Sequence, residues 1–534
     1  MAFYRSEERA YIASGERAAS LGGAFMARGG ASRRNFLKLA GAGVAGTALS
    51  AAASSYARIA GSNDRVGVGI IGFSDRFKNS LAPAFLKSAA ELNLEFVALS
   101  DIWSKRREDG GAFVSKLPGG RQIALARNNE ELYDNKDVQA VIIATPDFQH
   151  ATQGIEALKA GRDAYIEKPL ANVMEDARAI RAAVKGTDRV VAIGTQRRSS
   201  PVYQRIHDYM KSGAFGDLVS VELTWNINQP GRWRRPRVVS QLREADTDWK
   251  RFLTGRPPEP FDARKYVEFR LFWPFSSGIP DQWMVQRIDT VQWFSGFARP
   301  RSVVANGGIY RWRDGRKNWD TLTAVFDYGP TDEGATGAAK GFQVVYTARM
   351  TNSAGGQREH YFSNGGMLDL EKGVVAPTGG LTEENAREMD LKANQLTPIT
   401  FAAPGSEEAA ELGGPAERAE RRAGVLAERS QAPAPASPSG ATAVVSPTGE
   451  NTGPDESTVA NLRNWMECVQ ERKRPNADIE AGYNQSVALC MTIAAMQTGQ
   501  RVTFDDVKQE VVIGAPSGHI HFQRGGPHPD APGH

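Results

Sequence analysis

The chain has 534 residues, 41% of them hydrophobic, which is enough material for two or more cored domains. Sixty-five Lys and Arg against sixty-one Asp and Glu leave a net charge of +4, too small and too scattered for a nucleic-acid-binding surface. No run approaches the roughly eighteen apolar residues of a membrane span, and two cysteines, Cys468 and Cys490, exclude a disulfide framework.

From the start, Ser32-Arg33-Arg34-Asn35-Phe36-Leu37-Lys38 precedes a weakly apolar Ala/Gly run from Leu39 to Ala53. Small residues at Ala51-Ala52-Ala53 and Ser55-Tyr56-Ala57 offer A-x-A-like cleavage points. The stretch resembles a twin-arginine (Tat) signal, which implies export of a folded protein by the Tat machinery to the periplasm or beyond. Met26 is an alternative start. The leader and signal are assigned to residues 1–57.

Strand-like runs then alternate with helical patterns: Arg65–Gly72, Leu94–Asp101, Val138–Pro146, Ala164–Glu167 and Arg189–Gly194. That alternation predicts an α/β fold, with a Rossmann-type doubly wound parallel sheet over 65–195. Such a sheet holds a dinucleotide where its first turn brings phosphate to a helix N-terminus. Here the turn is Gly72-Phe73-Ser74-Asp75-Arg76-Phe77, which keeps only the first glycine of G-x-G-x-x-G. Ser74 adds a Cβ where the pyrophosphate should approach, and Phe77 is bulky where helix and strand should pack closely. Asp101, ending the second strand, suits the adenosine ribose. Lys105-Arg106-Arg107 could meet a 2′-phosphate or form a solvated helix face, so NAD is preferred over NADP.

Asp163–Pro169, D-A-Y-I-E-K-P, reads as a buried strand delivering Lys168 at its carboxyl end, where ligands of parallel sheets bind. The alternative is a surface lysine before a turn proline. With Thr145-Pro146-Asp147-Phe148-Gln149-His150 upstream and Gly194-Thr195-Gln196-Arg197-Arg198, Gly213-Ala214-Phe215-Gly216 and Asp248-Trp249 downstream, the chain resembles the Gfo/Idh/MocA oxidoreductases. Asn464-Trp465 and Pro475-Asn476-Ala477-Asp478 continue the likeness. The resemblance covers about 65–401 and 457–512. It implies a C-terminal α/β domain with a large, mainly antiparallel sheet, and hydride transfer between NAD or NADP and a hydroxyl carbon of a sugar, cyclitol or derivative. It implies a cofactor site of Gly72, Ser74, Asp101, Thr145, Pro146, His150, Glu167 and Lys168. In it Lys168 orients the substrate hydroxyl, and a cis bond before Pro169 would aim the lysine. His150 read by itself could equally be a surface histidine at a helix start.

The family's second signature, Asp-x-x-x-His-x-x-Asp, is broken here. Aligned on Asp289, its first aspartate becomes Gln282 and its histidine Gln286. An amide has no usable pKa, so Gln286 can hold a hydroxyl but cannot take its proton. The catalytic candidates are therefore Lys168, Gln286 and Asp289. Seven histidines, with His519 and His521 in a Gly/Pro-rich tail, give no expected metal site.

Trp225–Arg237 carries four arginines and two tryptophans, suited to an acidic or oligomeric sugar or to a solvated loop around a packed tryptophan. Alternating runs after Arg301 predict adjacent, half-exposed antiparallel strands in a 196–401 substrate and oligomerisation domain. An open sheet face of that kind implies a homo-oligomer in the family. Residues 402–457, rich in Pro, Ala, Gly, Ser and Glu, predict a disordered insertion. Helices over Val459–Gln470, capped by Ser457, and Ala481–Gly499 complete the C-terminal domain within 458–512, before a flexible 513–534 tail. Three functions remain: an exported NAD(P)-dependent oxidoreductase with tightly bound cofactor, an NAD-dependent glycosidase, or a degenerate carbohydrate-binding protein.

Overall fold

A computed structural model describes residues 65–229, 231–330, 341–389, 391–402, 406, 412 and 455–514. The Tat-like signal, nearly all of the 402–457 insertion and the histidines of the tail lie outside the described residues.

Six strands form an all-parallel sheet: β1 (Val66–Ile71), β2 (Leu94–Ser100), β3 (Ala124–Ala126), β4 (Ala140–Ile143), β5 (Asp163–Ile166) and β6 (Val191–Ile193), in the order β3-β2-β1-β4-β5-β6. Five of the six fall on the expected runs. β3 was missed because it is three residues long with two of them exposed, which leaves no apolar pattern to read. The order reverses between β1 and β4, so the carboxyl ends of the central strands open onto one crevice. Helices α1 (Ala82–Ala89), α2 (Ser104–Val114), α3 (Asn129–Asp134), α4 (His150–Lys159) and α5 (Met174–Lys185) connect the strands.

Phe77 departs from the close packing that a glycine would permit. It opens a wide π-helical turn, Phe77–Leu81, that leads into α1, and it is fully buried edge-on to Phe96 at 5.5 Å. Aromatic packing thus fills the space between helix and sheet.

The second sheet has ten strands: β7 (Leu218–Asn226), β8 (Ser302–Gly308), β9 (Thr321–Tyr328), β10 (Phe342–Arg349), β11 (Gln357–Ser363), β12 (Gly366–Asp369), β13 (Val374–Ala376), β14 (Ile399–Thr400), β15 (Val502–Asp505) and β16 (Glu510–Ile513). Their order is β14-β13-β12-β11-β7-β10-β9-β8-β15-β16, antiparallel except where β7 lies parallel to β10. Val344, Tyr346, Phe326 and Tyr361 are buried on the inner side, beside α6 (Pro201–Lys211), α7 (Val285–Ser295) and the apolar helix Ile479–Thr498. Thr323, Val325, Gln343 and Val345 on the outer side stay partly exposed, as the alternation predicts.

The last two helices correct one expectation. α8 (Glu456–Glu471) sends Leu462, Trp465 and Met466 into the core of the first domain, not the second, and Tyr165 donates to Asn461 Oδ1 at 2.9 Å. Its cap is Asp455, which accepts the Thr458 amide, where Ser457 was expected. α9 (Ile479–Thr498) and β15–β16 do complete the second domain, with β15 pairing to β8. Both cysteines are buried. Among the described residues, no helix is long and apolar enough to cross a membrane.

Candidate active site

A cleft of about 570 Å³ runs from the carboxyl ends of β1, β2, β4 and β5 to the start of α7, lined by both domains. At its first-domain end, Gly72 has φ +87°, and a Cβ there would meet Thr145 Cγ2 at 2.6 Å. Only glycine lets the β1 turn pass so close to the β4 turn. Ser74 Oγ accepts the Phe77 amide, so the serine caps the wide helical turn from the edge of the cleft. Asp101 accepts the amides of Phe73 and Trp103, each at 2.9 Å. Burial raises its pKa against those two hydrogen bonds. A carboxylate offers about four acceptor sites, so two amides leave capacity for ribose hydroxyls. This glycine turn, the acid at the end of β2 and the helix start at Ser74 fit a dinucleotide.

The basic run behind Asp101 is already engaged. Arg106 donates to the Phe73 carbonyl and pairs with Asp75, Arg107 donates to the Asp101 carbonyl, and Lys105 pairs with Asp109 on the surface. Asp75 also pairs with Arg235 of the second domain. Burial would raise the Asp75 carboxyl, but Arg235 and Arg106 outweigh it and hold the group low. Thr145 and Pro146 line the cleft beside His150. His150 is buried, its ring nitrogens 2.7 Å from the Pro169 carbonyl and 2.9 Å from the Thr145 carbonyl, so it ties the β4 and β5 loops together. The surface-histidine reading is thereby corrected.

Lys168 lines the cleft, and its peptide bond to Pro169 is cis. Its ammonium donates to the carbonyls of Gln282 (2.9 Å) and Asp281 (3.3 Å). Burial brings its pKa down to about 8, against the opposing charges of Asp147 and Glu167. Glu167 in turn accepts Arg76 Nε at 2.8 Å, Gln196 Nε2 at 3.2 Å and the Lys168 amide at 3.1 Å.

Below the lysine lie two carboxyl groups that sequence reasoning did not assign. Ser276 Oγ is 2.7 Å from Asp147 Oδ2 and 3.2 Å from Asp281 Oδ2. Asp147 also accepts the Gln282 side chain and lines the cleft, and Asp281 accepts the Ser277 hydroxyl and amide. Burial, and then Asp147, raise the Asp281 pKa to about 7. Burial and the neighbouring Asp147 charge both favour the protonated form of Asp281. Asp147 sits within T-P-D-F-Q-H, but nothing in that motif announces a partner 134 positions downstream in a wide turn, Pro280–Met284.

Gln286 lines the cleft and donates to Gln196 Oε1 at 3.2 Å, which continues a line of hydrogen bonds from Glu167 through Gln196. Asp289 does not join them. It shares a helix with Gln286, but its buried carboxylate is held bidentate by Arg198 at 2.9–3.1 Å, away from the cleft lining. Burial raises its pKa while Arg198 and Arg197 lower it. The expectation that Asp289 is catalytic is corrected: its charge is spent on anchoring α7 to the loop after β6.

The far wall is aromatic and basic. Trp225 stacks on Trp283 at 5.5 Å, Trp233 tilts against Trp283 at 5.6 Å, and the Arg232 guanidinium lies 5.2 Å from the Trp283 ring. Both tryptophans of the 225–237 loop are thus packed, and they still line the cleft with Arg232 and Arg270. On the second sheet His360, Asp369 and Glu371 converge within 4.8 Å. Glu371 already accepts Arg287 and the Glu359 amide, and Asp369 pairs with Lys372, so these carboxylates are occupied by the protein.

Residues 66–195 match the family described as GFO_IDH_MocA, oxidoreductases with an NAD-binding Rossmann fold. The first domain is thus similar to the Rossmann domain of the Gfo/Idh/MocA oxidoreductases. The chain is 30% identical over 186 residues to "Oxidoreductase P35" of Formosa agariphila, covering 35% of this chain and 53% of that protein. It is 28% identical over 259 residues to levoglucosan dehydrogenase of Pseudarthrobacter phenanthrenivorans, covering 40% of this chain and 64% of the relative. The chain therefore spans between about half and just under two thirds of these two relatives. A levoglucosan dehydrogenase solved with NADH and levoglucosan shares the fold over 82% of this chain and 99% of its own, at TM-score 0.52 and 16% identity.

Proposed function

We propose that the chain is an NAD(P)-dependent oxidoreductase acting on a hydroxyl carbon of a sugar or cyclitol, with Lys168 as the proton acceptor. The observation that carries this reading is the part-buried Lys168 ammonium, held against two main-chain carbonyls with its pKa brought down to about 8, in a cleft where the family's histidine position holds Gln286. A general base works best with a pKa near the working pH, and Lys168 meets that condition where Gln286 has no titratable proton.

When bound, the nicotinamide supplies the hydride acceptor. Gly72 and Ser74 would hold the phosphates, Asp101 the ribose, and Thr145, Pro146, His150 and Glu167 the ring end beside Lys168. Gln286 and Gln282 would orient substrate hydroxyls, and Lys168 would take the hydroxyl proton as the C–H hydride leaves. The Asp147–Ser276–Asp281 group would then stabilise the charged lysine. Asp101 at the ribose position favours NAD. The Tat-like leader supports export with cofactor already bound, and the partly exposed outer face of the second sheet supports a homo-oligomer.

A carbohydrate-binding protein without turnover is the second reading, favoured by Gln286. One experiment separates them. Protein purified without added cofactor is denatured and the released dinucleotide identified by mass spectrometry. Stoichiometric NAD or NADP is expected. Empty protein that also fails to bind added dinucleotide overturns the redox reading.

A further inference from the structure

A second, open depression lies beyond the aromatic wall, lined by Arg234, Tyr310, Arg311, Trp312, Arg313 and Asp314 among others. Its loop is held in place from below. The Asp320 carboxylate accepts the amides of Tyr310 (3.1 Å), Arg311 (2.8 Å) and Trp312 (2.8 Å), and Trp312 Nε1 donates to the Met350 carbonyl at 3.1 Å. Arg316 closes on Asp314 with two bonds of 2.9 Å. The fixed backbone presents Tyr310, 66% exposed, with Arg311 and Arg313 on either side of Trp312. Arg311, Arg313 and the nearby Lys317 form no ion pair among the described residues, whereas Arg234 and Arg316 do.

The depression adjoins the cleft across one turn of chain. Arg232, Trp233 and Arg235 line the cleft, and Gly231 and Arg234 line the depression. Two residues of chain span at most about 7 Å, so the two spaces share a wall. Forked guanidinium groups without carboxylate partners suit carboxylates, and an exposed phenol ring suits a sugar face. A net charge of only +4 does not point to a nucleic acid.

We propose that this depression is a subsite for an acidic oligosaccharide, whose terminal ring enters the cleft while its next uronate units rest on Tyr310, Arg311 and Arg313. The proposal rests on reading the cleft as a sugar site and names the substrate class. Isothermal titration of the whole protein with tetragalacturonate, neutral cellotetraose and a single-stranded oligonucleotide tests it, with an R311A/R313A double variant, a Y310A variant and an NAD titration of the same samples. Tetragalacturonate is expected to bind more tightly than either other probe. Its affinity should weaken about tenfold in the double variant and with added salt, because exposed ion pairs are individually modest and screened. Monomeric galacturonate should bind wild type and double variant alike. Tetragalacturonate binding no tighter than cellotetraose or the oligonucleotide, or unchanged in the double variant, overturns the subsite. If NAD binds in those same samples, the redox reading survives that failure.

Discussion

Lys168 Nζ donates to the main-chain oxygen of Gln282 at 2.9 Å, so the end of β5 and the wide turn before α7 meet at one ammonium. The lysine is thereby held in the cleft by carbonyl groups that accept a proton-bearing nitrogen but do not neutralise it. Burial then favours the neutral amine.

Lys168→Met should lower turnover about 10²–10⁴-fold, the usual cost of losing one acid–base group. Dinucleotide binding should persist, since Gly72 and Asp101 are untouched. In wild type, alcohol oxidation should rise with pH through about 8, where the Lys168 amine becomes free to accept a proton. A profile of kcat/KM against pH that stays flat between 7 and 9 would contradict this role.

Asp281→Asn tests the protonated Asp281 carboxyl. The folded Asp281 pKa is raised to about 7, so its contribution to stability is full below the ordinary carboxylate range and is lost as pH rises through about 7. The asparagine has no such loss. Melting temperatures of variant and wild type should therefore diverge in favour of the variant as pH increases from 5 to 8. Parallel curves would show that Asp281 is not held protonated in the folded protein.

Gln286→His restores a titratable group facing Gln196. Oxidation near neutral pH should increase, with the rising limb of the profile moved toward the ordinary histidine range near 6.5. If the variant is instead inactive but folded, Gln286 has its own substrate-orienting role, and the proton belongs to Lys168 alone.

Gly72→Ala should destabilise the first domain by roughly 1–3 kcal/mol, the usual cost of a forced left-handed residue. Its Cβ would also press on Thr145 Cγ2. Thermal melts should show the loss, and dinucleotide affinity should fall with it because the two turns are driven apart.

Much of this was legible in the residues. The run Val138–Pro146 holds a continuously apolar, continuously buried strand and Thr321–Tyr328 alternates, so local pattern and final burial agree. The three-residue β3 carried no pattern. Gln286 and Asp289 look alike in sequence, three apart on one helix, yet one faces the cleft and the other is consumed by Arg198. α8 read as part of the second domain because helical periodicity reveals a buried face but not what covers it.

The sequence by itself determined the α/β fold class with its parallel first sheet, the glycine turn, the acid after β2 and the lysine after β5, since each depends on short-range pattern or backbone need. Only the tertiary structure decided which polar groups share one low-dielectric space. It joined Asp147 to Asp281 through Ser276 across more than a hundred residues, brought the Lys168 pKa down by burial, and turned Asp289 away. Charge and protonation depend on distance and burial, and those are fixed only when remote segments pack together.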